Sequence, residues 1–182
     1  MINRLEFFER ARTNPFGGSL NQSQVDGCNA ILDEWESRMP NQDIRWLAYM
    51  LATAKWETAH TMQPIEEYGK GHGHSYGVPD PQTGQTYYGR GYVQLTWKTN
   101  YQTMQDILDE PLVEHPELAL DPKIAAAIMF VGMEKGSFTG VGLPKFFNAT
   151  TEDWINARKI INGLDRATEI ASLAKCFHAA LV

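Results

Sequence analysis

The sequence predicts a mainly α-helical fold, in which a single domain spans residues 1–182 and contains one small β-hairpin. Apolar residues recur at helical spacing along most of the chain, as they do in amphipathic helices. One Gly-rich stretch, residues 69–91, interrupts this pattern and predicts a loop. No repeat or linker is evident, and the length is typical of one domain.

Three helices are predicted before the Gly-rich stretch. The first covers the first dozen residues and ends before Pro15. The second begins at Asn21 or Ser23, either of which can cap it, and continues until Pro40. The third, at residues 44–60, is apolar around most of its circumference, so we expect it to lie at the centre of the fold.

The Gly-rich stretch is predicted to be a loop in which residues 86–88 pair as a short strand across a turn at Thr83-Gly84. The helical pattern resumes behind this loop. The remaining helices are predicted at 95–108, 122–138, 152–161 and 168–181.

Charge and hydropathy exclude several classes of protein. The formal net charge is −6 and Lys and Arg form no cluster, whereas binding to nucleic acid requires a basic face. No apolar run reaches membrane-spanning length, and the N-terminal residues lack the apolar core of a signal peptide. We therefore expect synthesis in the cytoplasm, no stable membrane anchoring and no nucleic-acid partner.

The cysteines and histidines raise the question of a metal site. Cys28 and Cys176 lie too far apart in sequence for a metal-ligand or redox motif, so both are interpreted as buried thiols. His60, His72 and His74 include a His-x-His pair, which is frequent among metal ligands. No cysteine lies nearby, however, and Gly-His-Gly-His is typical of a solvated loop. The sequence predicts no metal and no cofactor.

Glu57 is a carboxylate among aromatic residues. It lies near the end of the predicted 44–60 helix, on one face with Trp46, Tyr49 and Trp56. Hydrolysis of a glycosidic bond needs one carboxylic acid that is protonated near neutral pH, and apolar surroundings favour that form. The alternative interpretation is a glutamate at a helix end in a salt bridge.

Glu66 and Glu67 follow on a polar, Gly-flanked segment, where a carboxylate stays hydrated and ionised. An inverting glycosidase needs such a second carboxylate as its base, separated from the acid by room for a water molecule. Adjacent side chains on an extended segment point in opposite directions, so only one of the two glutamates is expected to face the site.

Aromatic and hydrogen-bonding side chains alternate with glycines at residues 87–97, the sequence YYGRGYVQLTW. Glycines allow the backbone to approach a ligand closely. Aromatic rings cover the apolar faces of sugars, while Gln and Thr side chains bond the hydroxyl and acetamido groups. The segment is typical of a sugar-binding wall, and a buried turn is the alternative interpretation.

The chain resembles the family 19 glycoside hydrolases, the superfamily of chitinases and phage endolysins. The motifs that carry the resemblance are Glu57-Thr58-Ala59, Pro64-Ile65-Glu66-Glu67, YYGRGYVQLTWKTNY at 87–101 and Ile160-Ile161-Asn162-Gly163. They occur in the family's order over residues 45–165. FTGVGL at 138–143 and the short spacing after Glu57 are more similar to phage lysins than to plant chitinases. The resemblance implies a lysozyme-like, two-lobed helical fold with the hairpin beside an active-site cleft.

The resemblance also implies roles for individual residues. Glu57 matches the general acid, Glu67 matches the base of the lysin-type pattern, and Glu66 is the alternative because some short members place the base nine residues after the acid. Thr96 matches the residue that holds the attacking water. The expected substrate-binding residues are Tyr88, Arg90, Gln94, Asn100 and Asn162.

Two positions depart from the family pattern. An arginine that orients the carboxylates in the family has no clean counterpart here, and Arg158 or Arg166 is expected to replace it. Chitinases of the family tend to have His where this chain has Trp97, which favours a different sugar preference.

The resemblance implies an endolysin that hydrolyses the β-1,4 bond between N-acetylmuramic acid and N-acetylglucosamine in peptidoglycan by inversion. It would act as a monomer on the cell wall after a separate protein has permeabilised the membrane. The alternatives are a chitinase on the same scaffold, a lytic transglycosylase and a catalytically silent glycan-binding module.

Overall fold

Six α-helices form the fold in the computed structural model, which describes residues 1–182. They are α1 (Arg4–Thr13), α2 (Gln22–Arg38), α3 (Ile44–Glu57), α4 (Lys98–Leu108), α5 (Pro122–Lys135) and α6 (Ala167–Leu181). Short 3₁₀ segments lie at Ser75–Gly77, Pro116–Leu120, Leu143–Lys145 and Asn156–Ile160. The predicted mainly α fold is confirmed.

Helix α3 lies at the centre of the fold, as its apolar circumference predicted. Every residue from Trp46 to Lys55 is buried, and the helix packs most extensively against α6. One continuous cluster of buried hydrophobic side chains draws on all six helices. Glu57, the last residue of α3, is therefore attached to the most deeply buried helix of the molecule.

Helix α3 ends at Glu57, three residues before the predicted end at His60. The Thr58 hydroxyl donates to the Ala54 carbonyl at 2.7 Å and accepts the N–H of Met62 at 3.1 Å. His60 has a φ of 68°, which a right-handed helix does not accommodate. His60 therefore does not continue the helical face on which Glu57 lies.

The β-sheet consists of two short antiparallel strands, β1 (Ile65–Glu66) and β2 (Arg90–Gly91), in which Glu66 lies opposite Arg90. The hairpin predicted around Thr83-Gly84 is therefore wrong in position. The Asp80 carboxylate accepts the Thr83 N–H, and the Tyr87 N–H bonds to the Tyr76 carbonyl. The Tyr87 N–H is therefore not available to a strand that would pair across the Thr83-Gly84 turn.

Other boundaries also differ from the prediction. Helix α4 begins at Lys98 instead of residue 95, and α5 ends before Gly136, which adopts a left-handed conformation. Residues 152–161 form no α-helix; the Asp153 carboxylate binds the N–H and the side-chain amide of Asn156, and the 3₁₀ segment Asn156–Ile160 follows. Cys28 is buried as predicted, whereas Cys176 is only half-buried.

The three histidines considered as metal ligands, His60, His72 and His74, lie in different surroundings. The Nδ1 atom of His60 lies 2.6 Å from Nζ of the buried Lys55, and the His74 ring stacks on Tyr76 with 4.9 Å between ring centroids. His72 is exposed. No group of three His, Cys, Asp or Glu side chains is arranged to hold a metal ion.

None of the six helices combines the length and apolar character that a membrane span requires.

Gly27 of α2 lies directly against the segment that follows α3. A Cβ atom on Gly27 would lie 1.7 Å from the Met62 carbonyl oxygen. We expect Gly27→Ala to lower the free energy of unfolding by about 1–3 kcal/mol, because the overlap with backbone outweighs the better helix propensity of alanine. Met62 lies between Glu57 and Glu67, so the same change is expected to reduce activity.

Denaturant unfolding measures this prediction, and Gly69→Ala is the matched control. Gly69 has open space around its Cβ position and no positive φ. Its substitution is therefore expected to leave stability within about 0.5 kcal/mol of wild type. Equal stability of the two variants would show that the close packing of Gly27 is unimportant.

Asp43 caps the N-terminus of α3 and pairs with Arg45 through two carboxylate oxygens. The hydrogen bonds from Arg45 hold the pKa of Asp43 below its ordinary value of 3.8. Stability from this pair is therefore present above the unfolded pKa and lost as the pH falls through the folded pKa. We expect Asp43→Asn, which keeps a capping oxygen, to lower Tm by about 2–4 °C at pH 7. Melting curves of the two proteins should show the difference in Tm shrinking below about pH 4. A difference in Tm that did not change with pH would contradict an ionic contribution from Asp43.

Candidate active site

Glu57 makes an ion pair with Arg158 of the last 3₁₀ segment. Its Oε1 atom accepts a hydrogen bond from Arg158 Nη1 at 2.8 Å, and only 19% of the Glu57 side chain and 4% of the Arg158 side chain are exposed. The second carboxyl oxygen of Glu57 makes no hydrogen bond within the protein. Arg158 therefore orients the carboxyl group and leaves one oxygen free to meet a ligand.

Arg158 is itself held in place. Its Nε atom donates to the Asp165 carbonyl at 3.2 Å. Arg166, the other candidate for an orienting arginine, is exposed and pairs with Glu169. Of the two arginines, the structure brings Arg158 to Glu57. The salt bridge considered as an alternative for Glu57 is present, and it coexists with a free carboxyl oxygen.

Glu66 lies on one side of β1. The Tyr88 hydroxyl donates to its Oε1 atom at 2.7 Å, and the Lys70 ammonium group lies 2.8 Å from Oε2. The hydrogen bonds from Lys70 and Tyr88 lower the pKa of Glu66. Both carboxylate oxygens are thus engaged, and the partner Lys70 is largely exposed.

Glu67 continues the strand pairing and faces the other way. Its N–H donates to the Gly89 carbonyl at 2.7 Å, and the Gly89 N–H donates to its Oε2 atom at 3.1 Å. The Tyr76 hydroxyl donates to Oε1 at 3.1 Å. Partial desolvation and this hydrogen bond raise the pKa of Tyr76, so the phenol stays a donor at neutral pH. Glu67 is held by two donors, neither of which carries a charge.

Thr96 and Gln94 lie on the Glu67 side of the strand pair. A Cβ atom on Gly89, the residue opposite Glu67, would lie 2.9 Å from Gln94 Oε1 and 3.3 Å from Thr96 Oγ1. Side chains of directly opposed residues lie on the same face of a sheet. The structure therefore brings Glu67, Thr96 and Gln94 together, and the absence of a side chain at Gly89 leaves room for them.

The amide donors of Gln94 and Asn100 are directed at the backbone. Gln94 Nε2 donates to the carbonyls of Ile65 and Gly91, and Asn100 Nδ2 donates to the Thr96 carbonyl at 2.7 Å. The Thr96 hydroxyl donates to the Gln94 carbonyl at 2.8 Å, which leaves its lone pairs to accept from a water molecule. Gln94 thus joins β1 to the segment at 87–97, and the bonds of Thr96 and Asn100 stay within the turn that leads into α4.

The remaining predicted substrate-binding residues differ in burial; they are Tyr88, Arg90 and Asn162. Arg90 is buried, with its guanidinium 3.6 Å from the Tyr88 ring centroid and its Nη1 atom donating to the Tyr101 hydroxyl. Tyr88 is also buried, so both residues form the interior of the motif. Asn162 is exposed, and its Oδ1 atom accepts the N–H of Gly163. Asn162 follows the Arg158 segment, and its backbone N–H donates to the Arg158 carbonyl.

The segment between the two glutamates is fastened to α2. Gln63 Nε2 donates to the Ser23 carbonyl at 2.6 Å, and Gln24 Nε2 donates to the His60 carbonyl at 3.0 Å. Met62 is fully buried against Gly27. These contacts set the path of the chain from Glu57 to Glu67.

Tyr76 is the site residue that sequence reasoning missed. It lies in the Gly- and His-rich loop, where no periodicity or motif singled it out. It lines a cleft of about 230 Å³ together with Pro79, Tyr87, Trp97 and Lys98. A larger depression of about 530 Å³ lies between α2 and the start of α5 and contains none of the candidate residues.

Comparison with solved structures decides the fold class. Chitinase C from Streptomyces griseus HUT6037 superposes with a TM-score of 0.62 at 20% identity, over 99% of this chain and 76% of its own. A bacterial family 19 chitinase superposes with a TM-score of 0.62 at 18% identity, over 99% of this chain and 94% of its own. The chain has the fold of a family 19 chitinase. A mutant of chitinase C superposes with a TM-score of 0.64 at 20% identity, again over 99% of this chain and 76% of its own.

The fold implied by the resemblance is thereby confirmed over nearly the whole chain. No protein-family model matches the sequence, and no curated protein matches it by sequence. At this level of identity, the similarity lies in the path of the backbone. The chemistry of this chain must therefore be argued from its own side chains.

Proposed function

We propose that this chain is a glycoside hydrolase that cleaves the β-1,4 bond between N-acetylmuramic acid and N-acetylglucosamine in peptidoglycan, with inversion. The observation that carries the proposal is that two carboxyl groups have different kinds of hydrogen-bond partner. Glu57 is held through one oxygen by Arg158, whereas Glu67 is held by the Gly89 N–H and the Tyr76 hydroxyl. Acid and base roles require two carboxyl groups in different environments.

Glu57 is the general acid in this proposal. Arg158 orients the carboxyl group through Oε1, and the unbonded oxygen is the one that would carry a proton to the glycosidic oxygen. The sugar itself would displace water from around this oxygen. Exclusion of bulk water prevents loss of the proton to solvent, so that it passes to the leaving group.

Glu67 is the general base. Its two hydrogen-bond donors fix the carboxylate beside Thr96, and the Thr96 hydroxyl has lone pairs available for a water molecule. In an inverting reaction this water attacks the sugar from the face opposite the leaving group while the base takes its proton. Glu66 is less suited to the role, because the Lys70 ammonium group pairs with one of its oxygens and lowers its pKa, whereas both donors to Glu67 are uncharged.

Peptidoglycan is the proposed substrate because the motifs at 138–143 and after Glu57 resemble those of phage lysins. The second candidate is chitin, and the observation in its favour is that the solved structures with this fold are chitinases. Both glycans contain β-1,4-linked N-acetylglucosamine. The two candidates therefore share the reaction and differ in whether every second sugar carries a lactyl group.

The deciding experiment is mass spectrometry of muropeptides released in heavy-oxygen water. The proposal predicts products with N-acetylmuramic acid at the reducing end and one heavy oxygen atom at its anomeric carbon. Cleavage on the other side of the muramic acid would give N-acetylglucosamine at the reducing end. A transglycosylase would give 1,6-anhydro products without label. A parallel digest of chitin oligosaccharides tests the second candidate, and turnover of chitin alone would overturn the choice of peptidoglycan.

A further inference from the structure

Three aromatic side chains gather next to Glu67. The His74 and Tyr76 rings stack with 4.9 Å between centroids and 8° between planes. The Trp97 ring meets Tyr76 at 5.0 Å and 82°, so their planes are nearly perpendicular. The Tyr76 hydroxyl bonds to Glu67. We call His74, Tyr76 and Trp97 the aromatic corner.

Trp97 carries a backbone conformation that is costly for a bulky residue. Its φ is 77° and its ψ is 134°, outside the regions that residues other than glycine ordinarily occupy. The conformation is held because the Trp97 N–H donates to the Tyr87 carbonyl at 2.8 Å and the Trp97 carbonyl accepts the N–H groups of Asn100 and Tyr101. Glycine at this position would avoid the strain.

Neither burial nor helix capping explains the tryptophan. The side chain is 49% exposed, and it makes no capping hydrogen bond to α4. Residues with strained backbone conformations cluster at active sites and ligand-binding sites. An exposed aromatic ring on a strained backbone beside a candidate catalytic carboxylate points to contact with a ligand.

The aromatic corner is built into a rigid loop. A Cβ atom on Gly77 would lie 2.1 Å from the Gly71 carbonyl oxygen, so the loop closes tightly on itself. The Asp80 carboxylate accepts hydrogen bonds from Lys98 Nζ at 2.9 Å. The Tyr87 N–H donates to the Tyr76 carbonyl. The rings therefore need little ordering when a ligand binds, which reduces the entropic cost of binding.

We propose that the aromatic corner is a sugar-binding subsite that takes one N-acetylhexosamine ring of the glycan chain next to the bond that is cleaved. The apolar C–H face of a pyranose matches the exposed Trp97 ring, and the perpendicular Tyr76 ring limits how the sugar is placed. Through Tyr76, the subsite adjoins the carboxylate of Glu67. This inference rests on the proposed function and assigns a subsite within it.

Calorimetric titration with the β-1,4-linked hexasaccharide of N-acetylglucosamine tests the subsite. The protein carries Glu57→Gln in every case, so that the ligand stays intact. Trp97→Ala is expected to weaken binding by about ten-fold, and Trp97→Phe by about three-fold or less, because phenylalanine keeps a ring. Tyr68→Ala is the matched control: Tyr68 is fully exposed in the same region and has no ring contact, and its loss should leave affinity unchanged.

Trp97→Gly separates a binding role from a structural one. It removes the ring together with the backbone strain, so Tm is expected to lie at or above that of Trp97→Ala, while affinity falls as for Trp97→Ala. A lower Tm with unchanged affinity would mark Trp97 as structural and overturn the subsite. Equal losses of affinity in Trp97→Ala and Tyr68→Ala would also overturn it.

The failure of the subsite and the failure of the proposed function give different results. If the wild-type protein hydrolyses glycan and Trp97→Ala binds the hexasaccharide normally, the subsite alone is wrong. If the wild-type protein hydrolyses no glycan and the Glu57→Gln protein binds no hexasaccharide, the proposed function fails and the subsite fails with it.

Discussion

Glu57→Gln is expected to lower kcat on peptidoglycan by about 10³-fold, which is within the range that general acid catalysis contributes. Glutamine keeps the size of the side chain and an oxygen that accepts the bond from Arg158, but its amide protons are far too weakly acidic to protonate the glycosidic oxygen. KM is expected to change little, since the substitution removes an interaction made in the transition state. Release of reducing ends from purified peptidoglycan measures both constants.

Glu34→Gln is the matched control for this substitution. Glu34 is likewise a largely buried glutamate side chain that pairs with an arginine, Arg38, but it lies on α2 away from the candidate site. It should share any loss of stability that follows from weakening an ion pair, while kcat stays at the wild-type value. Full activity of Glu57→Gln would exclude Glu57 as the acid, whatever the control shows.

Glu67→Gln is expected to lower kcat by about 10²–10³-fold, because the water beside Thr96 loses the group that takes its proton. The amide has one acceptor oxygen and keeps one of the two bonds, while the bond from the residue 67 N–H to the Gly89 carbonyl is unaffected, so the loop should keep its structure. Activity measured together with circular dichroism tests this result. Azide, a small anionic nucleophile, should restore part of the lost activity by taking the place of the activated water.

Glu66→Gln is the neighbouring control for the choice of base. The side chain faces Tyr88 and Lys70, and its ion pair with Lys70 lies at the surface, where such pairs contribute at most about 1 kcal/mol. We expect kcat to fall less than about ten-fold. If Glu66→Gln removed activity and Glu67→Gln did not, the base assignment would move to Glu66.

Local sequence was sufficient for most of the helices. Asn21 and Asp43 have side chains that cap helices, and the apolar circumference of residues 44–57 already indicated a central helix. These features depend on residues within a few positions of one another, because capping and helical periodicity are short-range properties. The differences from the prediction are also local: the Asp80 carboxylate binds the N–H groups of Gln82 and Thr83, and a 3₁₀ segment at Asn156–Ile160 replaces a predicted α-helix.

The sequence by itself determined the helical fold, the approximate place of each helix and the identity of the carboxylates that serve as candidates for the two roles. Only the tertiary structure decided which groups surround them. Arg158 meets Glu57 across 101 positions of the chain, and Tyr76 meets Glu67 from a loop without periodicity. Strand pairing turned Glu66 and Glu67 to opposite sides, which spacing alone left open. Such contacts depend on how distant segments pack in three dimensions, and no pattern along one segment records them.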